Sequence, residues 1–192
     1  GEHVSAKAEE WPKRWAHILA NMQLVMGPLS DRSRLAPLDV EVLETVELPS
    51  VVRKKVTFVS EPGDRVPAYL LVPKGLTGKA PAMLCLHQTT TVGKGEPAGV
   101  DGRPNLRYAL ELAQRGYVTL APDYPHFGDY EVDAYAYGYG SVTMKGIWNH
   151  MRAVDLLASL PEVDAEGIGC IGHSLGGHNT LFVGVFDSRL KV

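Results

Sequence analysis

Apolar residues recur along this chain with two different periods, and the changes of period mark out its elements. Trp11, Trp15, Ile18, Leu19, Met22, Val25 and Met26 return at helical spacing, which predicts one amphipathic helix with an apolar packing face. Pro12 sits near its start and Gly27-Pro28 ends it. Residues 29–39 form a polar, proline-bearing connector. Residues 40–48 and 51–59 then alternate with period two, as half-exposed strands do. Glu61-Pro62-Gly63-Asp64 is a turn, since proline presets φ and glycine supplies positive φ. Residues 66–72 return as a further strand, so the region reads as an antiparallel hairpin.

After Pro73 the pattern changes. Ala80-Pro81-Ala82-Met83-Leu84-Cys85-Leu86 is continuously apolar, the mark of a strand buried on both faces in a parallel sheet. It ends in His87-Gln88-Thr89-Thr90-Thr91, followed by a Gly/Pro-rich loop over 92–104 and a helix over 105–115 closed by Gly116. Residues 117–121 are the next buried strand, and Pro122-Asp123-Tyr124-Pro125-His126-Phe127-Gly128-Asp129 is the loop at its end. Ser141 caps a helix that carries Met144, Ile147, Trp148, Met151, Val154 and Ala158 on one face and stops at Pro161. A last apolar run, Ile168-Gly169-Cys170-Ile171, stops at Gly172-His173-Ser174-Leu175-Gly176-Gly177, and a helical pattern continues through Leu181, Phe182 and Val185. Asp187-Ser188-Arg189 reads as a turn and Leu190-Lys191-Val192 as the start of another strand.

Strands alternating with helices imply an α/β fold: a mostly parallel sheet with right-handed crossovers, helices on both faces and an antiparallel hairpin leading in. No internal repeat or second domain is visible. Residues 1–39 are an N-terminal helix and connector, and residues 40–192 are the core. Composition narrows the function. At 192 residues, 45% apolar and 21% charged, the chain can fill one core. Its net charge of −3 argues against nucleic acid or an anionic membrane as partner. No apolar run approaches the roughly 20 residues of a membrane span. No secretory signal pattern is visible, so the expected setting is soluble, cytoplasmic or secreted after processing. Cys85 and Cys170 fall inside buried strands and read as free thiols.

Binding sites in such sheets lie at the carboxyl ends of strands. The His87 loop, the Asp123 loop and Ser174 all fall there. Gly172-x-Ser174-x-Gly176 fits the nucleophile elbow, a sharp strand-to-helix corner that needs small residues two positions either side of the serine. The hydroxyl then stands at the positive end of a helix, where developing negative charge is stabilised. An overlapping pattern, Gly167-x-Gly169-x-x-Gly172, fits the dinucleotide fingerprint. That reading needs the strand before the first glycine, whereas here the strand lies inside the supposed loop. Lys94 lacks the glycine five residues earlier that a phosphate-binding loop requires. No His/Cys/Asp spacing suggests a metal, and no cofactor is expected.

Three segments in order carry a resemblance to the α/β-hydrolase superfamily: Leu86-His87-Gln88-Thr89, Ala121-Pro122-Asp123-Tyr124 with Phe127-Gly128-Asp129, and Gly172-His173-Ser174-Leu175-Gly176-Gly177. The hairpin ending in Pro67-Ala68-Tyr69-Leu70-Leu71-Val72-Pro73 resembles the bacterial group of acetyl xylan esterases and dienelactone-hydrolase-like proteins. The resemblance implies hydrolysis of a small carboxylic ester through an acyl-enzyme. Ser174 would be the nucleophile and the Leu175 N–H one oxyanion donor. The second donor would come from Gln88 or Thr89, which stand where glycines often do in this superfamily. His87 would shape the oxyanion loop, and His87, His173, Tyr124 and His126 are candidates for the substrate pocket. The aromatic run Tyr130, Tyr135, Tyr137 and Tyr139 is either a lid or sugar-stacking wall, or a loop packed on its own aromatics.

A serine nucleophile needs a base, and the base an orienting acid, in the order Ser, acid, His for this fold. After Ser174 the sequence holds only His178 and Asp187 in those roles. His178 points along the helix leaving the elbow, and Asp187 reads as a turn residue. His3, His17 and His150 read as surface or helix positions. The expectation is therefore of a chain cut short after the elbow helix. Its acid, its base and the rest of its sheet would come from a C-terminal segment or second chain. Two other readings stay open. One is a non-catalytic α/β-hydrolase-like scaffold or binding protein. The other is a serine peptidase of the prolyl-oligopeptidase type, for whose large N-terminal domain residues 1–50 are too short.

Overall fold

The structure, a computed structural model, describes residues 8–192; His3 lies outside them. Helix α1 spans Trp11–Met26. Three strands follow, β1 at Glu41–Glu47, β2 at Val51–Glu61 and β3 at Asp64–Pro73. Then come β4 at Ala80–Leu86, α2 at Tyr108–Ala113, β5 at Val118–Pro122, α3 at Val142–Ser159, β6 at Val163–Gly172 and α4 at Leu175–Phe186.

The strands form one six-stranded sheet in the order β1-β2-β3-β5-β4-β6. The pairs β5–β4 and β4–β6 are parallel, as the continuous apolar runs predict. The pairs β1–β2, β2–β3 and β3–β5 are antiparallel. The antiparallel share is thus larger than the pattern of buried runs suggested, because β3 joins β5 head to tail and brings the whole hairpin onto the sheet. At the other edge, Lys191 donates its N–H to the Ile168 carbonyl at 2.9 Å and Cys170 to the Val192 carbonyl at 2.7 Å. The expected strand at 190–192 is present as this backbone pairing alone.

Alternation along β4 sorts the two faces. Ala82, Leu84 and Leu86 join Ile147, Met151 and Val154 of α3 and Val183 of α4 in the main core. Met83 and Cys85 turn the other way, onto Ala109 of α2. Helices therefore cover both faces. β1 is an edge strand, nearly all exposed, with Glu41, Glu44 and Glu47 along it and a register shift between Val42 and Glu44. Charge and a bulge at an edge discourage pairing with another chain. The apolar stripe of α1 is only partly used: Met26 is buried, while Trp11 and Val25 remain largely exposed.

Helix α2 is shorter than predicted. Arg107 leaves helical geometry at φ −83°, ψ 44°, and a separate turn at Pro104–Leu106 takes up the residues before it. Helix α3 begins as predicted, with the Ser141 side chain accepting the Met144 N–H at 3.1 Å. Its polar side is buried as well. Lys145, Asn149, His150 and Arg152 are all shielded from solvent; of the two positions expected for His150, surface or helix, it takes the helix one and is buried there. The cause is tertiary: Tyr130, Val132, Ala134 and Tyr139 of the aromatic loop pack into the main core over this helix. Lys145 Nζ reaches the Asp64 carboxylate at 2.6 Å and the Glu61 carboxylate at 2.8 Å. Tyr135 and Tyr137 stay exposed. Among the described residues no helix is long and apolar enough to cross a membrane.

Candidate active site

The register of the parallel strands decides which loops meet. Leu86 at the end of β4 lies opposite Gly172 at the end of β6, and Leu84 lies opposite Leu120 in β5. The segments beginning at His87, Asp123 and His173 therefore leave the sheet at one level, at the carboxyl ends of their strands.

Ser174 sits at the corner between β6 and α4 with φ 52° and ψ −115°. Few non-glycine residues hold positive φ, and such a conformation costs on the order of 1–3 kcal/mol. The surroundings enforce it. A Cβ on Gly172 would stand 2.8 Å from the Gly176 Cα, and a Cβ on Gly176 would collide with the Leu86 carbonyl and stand 2.9 Å from the His87 carbonyl oxygen. The corner closes only because both positions lack a side chain. Gly176 donates its N–H to the His173 carbonyl at 2.9 Å and His178 to that of Ser174 at 3.0 Å. Leu175 is the first residue of α4, where an N–H has no acceptor within the helix. Ser174 itself is exposed.

The loop after β4 is built around His87, which is buried at 2% exposure. Tyr124 donates its N–H to His87 Nε2 at 3.0 Å, so that nitrogen accepts and the ring proton resides on Nδ1. Nδ1 in turn donates to the Gln88 carbonyl at 2.6 Å. Burial holds the ring below its ordinary pKa, so it is neutral. A trans peptide sets its C=O and its N–H on opposite sides. Anchoring the Gln88 carbonyl on His87 therefore turns the Thr89 N–H away from the ring. The Tyr108 hydroxyl donates to the Leu86 carbonyl and holds the strand end beneath this loop. Gln88 is half-buried and Thr89 exposed. The Gln88 side chain reaches the elbow, with Oε1 2.6 Å from His173 Nδ1.

The other pocket candidates divide. His173 is exposed beside Ser174. Tyr124 is buried, its ring packed so closely on Gly146 that a Cβ there would overlap it. His126 is exposed at φ 69°, with Nδ1 3.7 Å from the Glu131 carboxylate. His178 stacks on Phe182 with ring centroids 4.1 Å apart, one turn along α4. His150 packs beneath Tyr124, ring centroids 6.3 Å apart. Asp187 is buried and bound to Arg189, its Oδ2 2.6 Å from the guanidinium. Cys85 and Cys170 are buried free thiols; burial pushes Cys85 well up and Cys170 up to about 12.

Sequence reasoning missed an ion cluster, buried at Lys94 and Asp123 and open to solvent at Asp129, that joins the loops after β4 and β5. The Asp123 carboxylate accepts the Lys94 N–H at 2.8 Å, Lys94 Nζ at 2.6 Å and the Asp129 N–H at 3.0 Å. Lys94 Nζ also bonds Asp129 at 2.7 Å, and Lys55 Nζ meets Asp129 at 2.8 Å. These two lysines draw the Asp129 carboxyl down to about 2, Lys55 most strongly. Gly93 and Gly128 both press on the Asp123 carboxylate, leaving no space for a Cβ at either. A lysine between two glycines in a loop was the one local signal.

No protein-family model matches the chain. It is 28% identical over 179 residues to the Bacillus subtilis protein named "Putative hydrolase YtaP", covering 88% of this chain and 59% of that one. It is 32% identical over 143 residues to the uncharacterized protein PA2218 of Pseudomonas aeruginosa, covering 73% of this chain and 35% of that one. The chain thus spans less than two thirds of the length of each of these relatives. Among solved structures it superposes on a "putative acetyl xylan esterase (BF1801)" from Bacteroides fragilis with a TM-score of 0.80 at 19% identity, covering 98% of this chain and 54% of that one. The acetyl xylan esterase of Paenibacillus sp. R4 matches with a TM-score of 0.64 at 22% identity, over 99% and 59% of the two chains. The chain has the α/β-hydrolase fold, and its solved structural neighbours include acetyl xylan esterases and related esterases.

Proposed function

We propose that this chain carries the nucleophile and oxyanion half of a serine hydrolase acting on small carboxylic esters. The observation that supports it most is the backbone of Ser174, an exposed serine held at φ 52° on a strand-to-helix corner where neither Gly172 nor Gly176 has room for a Cβ. Strain of this kind is retained where the surrounding structure over-determines it. Ser174 Oγ attacks the ester carbonyl and forms the acyl-enzyme, expelling the alcohol; water then releases the acid. The Leu175 N–H, at the start of α4, and the Thr89 N–H, turned outward by the His87–Gln88 bond, bind the oxyanion. Of the two donors expected from the sequence, Thr89 is preferred because the Gln88 carbonyl fixes the plane of the peptide that it precedes.

The attack needs a base. Among the described histidines none is hydrogen-bonded to the Ser174 hydroxyl: His87 has both ring nitrogens engaged, His150 is buried, His178 stacks along α4, His17 meets Asn21 on α1, His126 faces Glu131 and His173 turns its Nδ1 to Gln88. The base and its acid are therefore proposed to come from polypeptide outside these residues. The test is reaction with a fluorophosphonate, read by peptide mass spectrometry. An adduct on Ser174, with ester hydrolysis abolished in Ser174→Ala, supports the hydrolase. The same survey of histidines favours a second reading, a non-catalytic binding protein on this fold. An unmodified Ser174 and no turnover of any small acyl ester would point there.

A further inference from the structure

We propose that Gln88 and His173 form a side-chain bridge that ties the loop after β4 to the nucleophile elbow, making both of them positioning residues for chemistry at Ser174. The inference rests on the reading of Ser174 as nucleophile and adds a device to it. The bridge joins two segments that come from different strands, and each partner directly precedes a group with a proposed role: Gln88 before Thr89, His173 before Ser174. His173 Nδ1 lies 2.6 Å from Gln88 Oε1. The amide oxygen only accepts, so Nδ1 holds the ring proton and donates it. The other ring nitrogen, Nε2, takes no part in the bridge.

The backbones on either side are already fixed. His87 grips the Gln88 carbonyl at 2.6 Å, and Gly176 abuts the Leu86 and His87 carbonyls. The bridge therefore closes between two anchored backbones, so that only the rotamer freedom of the two side chains opposes it. It spans from one proposed oxyanion donor segment to the other. Its loss would let the two donors drift relative to each other, and an oxyanion hole depends on fixed donor geometry.

Five variants and a spectrum test it. Asparagine places its side-chain N–H near the position of imidazole Nδ1, whereas glutamine places its own near Nε2. His173→Ala and Gln88→Ala are each expected to lower kcat about tenfold with KM for p-nitrophenyl acetate nearly unchanged, and the double variant to be no worse than either single one. His173→Asn is expected to recover most of the loss and His173→Gln none. Additive losses, or equal rescue by Asn and Gln, would overturn the bridge. Long-range 15N NMR of the His173 ring reads the bridge without any activity: a proton on Nδ1 in the wild-type chain and on Nε2 in Gln88→Ala is expected, and the same tautomer in both rejects it. If the wild-type protein neither turns over esters nor takes up a fluorophosphonate, the nucleophile reading fails, and the tautomer alone still decides for or against the bridge.

Discussion

Lys94 bonds twice to one carboxylate: its N–H meets Asp123 Oδ1 at 2.8 Å and its Nζ meets Asp123 Oδ2 at 2.6 Å. Asp123 is fully buried and Lys94 nearly so. Removing Asp123 leaves Lys94 only the half-exposed Asp129 as counter-charge and strands the Lys94 and Asp129 N–H groups, at a cost of about 3–5 kcal/mol. Asp123→Ala should therefore lower the urea midpoint sharply. Replacing both residues with apolar ones, Lys94→Met with Asp123→Leu, should restore part of the loss. A single-variant change below about 1 kcal/mol, typical of a solvated surface pair, would contradict the buried cluster.

Two glycines of α4 make a matched pair. A methyl at Gly176 has nowhere to go but into the Leu86 carbonyl, whereas Gly184 has open space around it. Gly176→Ala is expected to destabilise by roughly 1–3 kcal/mol or more and to displace the elbow. Gly184→Ala should be neutral or add up to about 1 kcal/mol, from helix propensity alone. Thermal unfolding of the two variants side by side checks the contrast, and equal shifts would refute it.

His150 links stability to pH. Burial first, and the proximity of His87 second, push its pKa from an ordinary 6.5 down to about 3. The folded chain therefore holds the ring neutral while the unfolded chain protonates it. Stability is fully present above the unfolded value and falls as pH drops below it, by about 1.4 kcal/mol per pH unit for this one proton, until the folded value is reached. His87, also lowered by burial, acts in the same direction. In urea titrations between pH 7 and pH 4, His150→Leu should flatten the acid loss by up to one proton. Parallel curves for the two proteins would show that His150 is not buried neutral.

His87 offers a test of the loop independent of Ser174. It accepts from the Tyr124 N–H and donates to the Gln88 carbonyl, so His87→Ala strands one backbone donor and one acceptor. Two effects are expected together. Stability should fall by about 1–3 kcal/mol for each group left unsatisfied. In the proposed reaction kcat should fall about tenfold or more with little change in KM, because a misaimed oxyanion donor weakens only the transition state. A KM effect alone would place His87 in substrate binding instead.

The periods of apolar residues were enough to find the strands, the crossover helices and the corner at Ser174. Those features rest on local physics: a buried parallel strand must be apolar throughout, and a tight strand-to-helix corner must have glycine at Gly172 and Gly176. What the periods could not reveal is what lies against a polar residue. Lys94 read as a loop residue and His150 as a surface or helix position, and Lys145, Asn149 and Arg152 lie outside the apolar face read for their helix, yet all five are buried. Their partners Asp123, Asp64, Tyr130, Tyr124 and Asp155 lie in other elements or are set in place by them. The roles of His87 and Gln88 were undecided for the same reason. Both residues were visible in the sequence, but the direction of a peptide plane is set by the bond its carbonyl finds. The sequence by itself determined the order of elements and the serine corner, because those are one-dimensional constraints of period and steric size. Only the tertiary structure decided which charges are buried and which backbone N–H faces the site, because burial and hydrogen bonding depend on neighbours that the chain brings together only by folding.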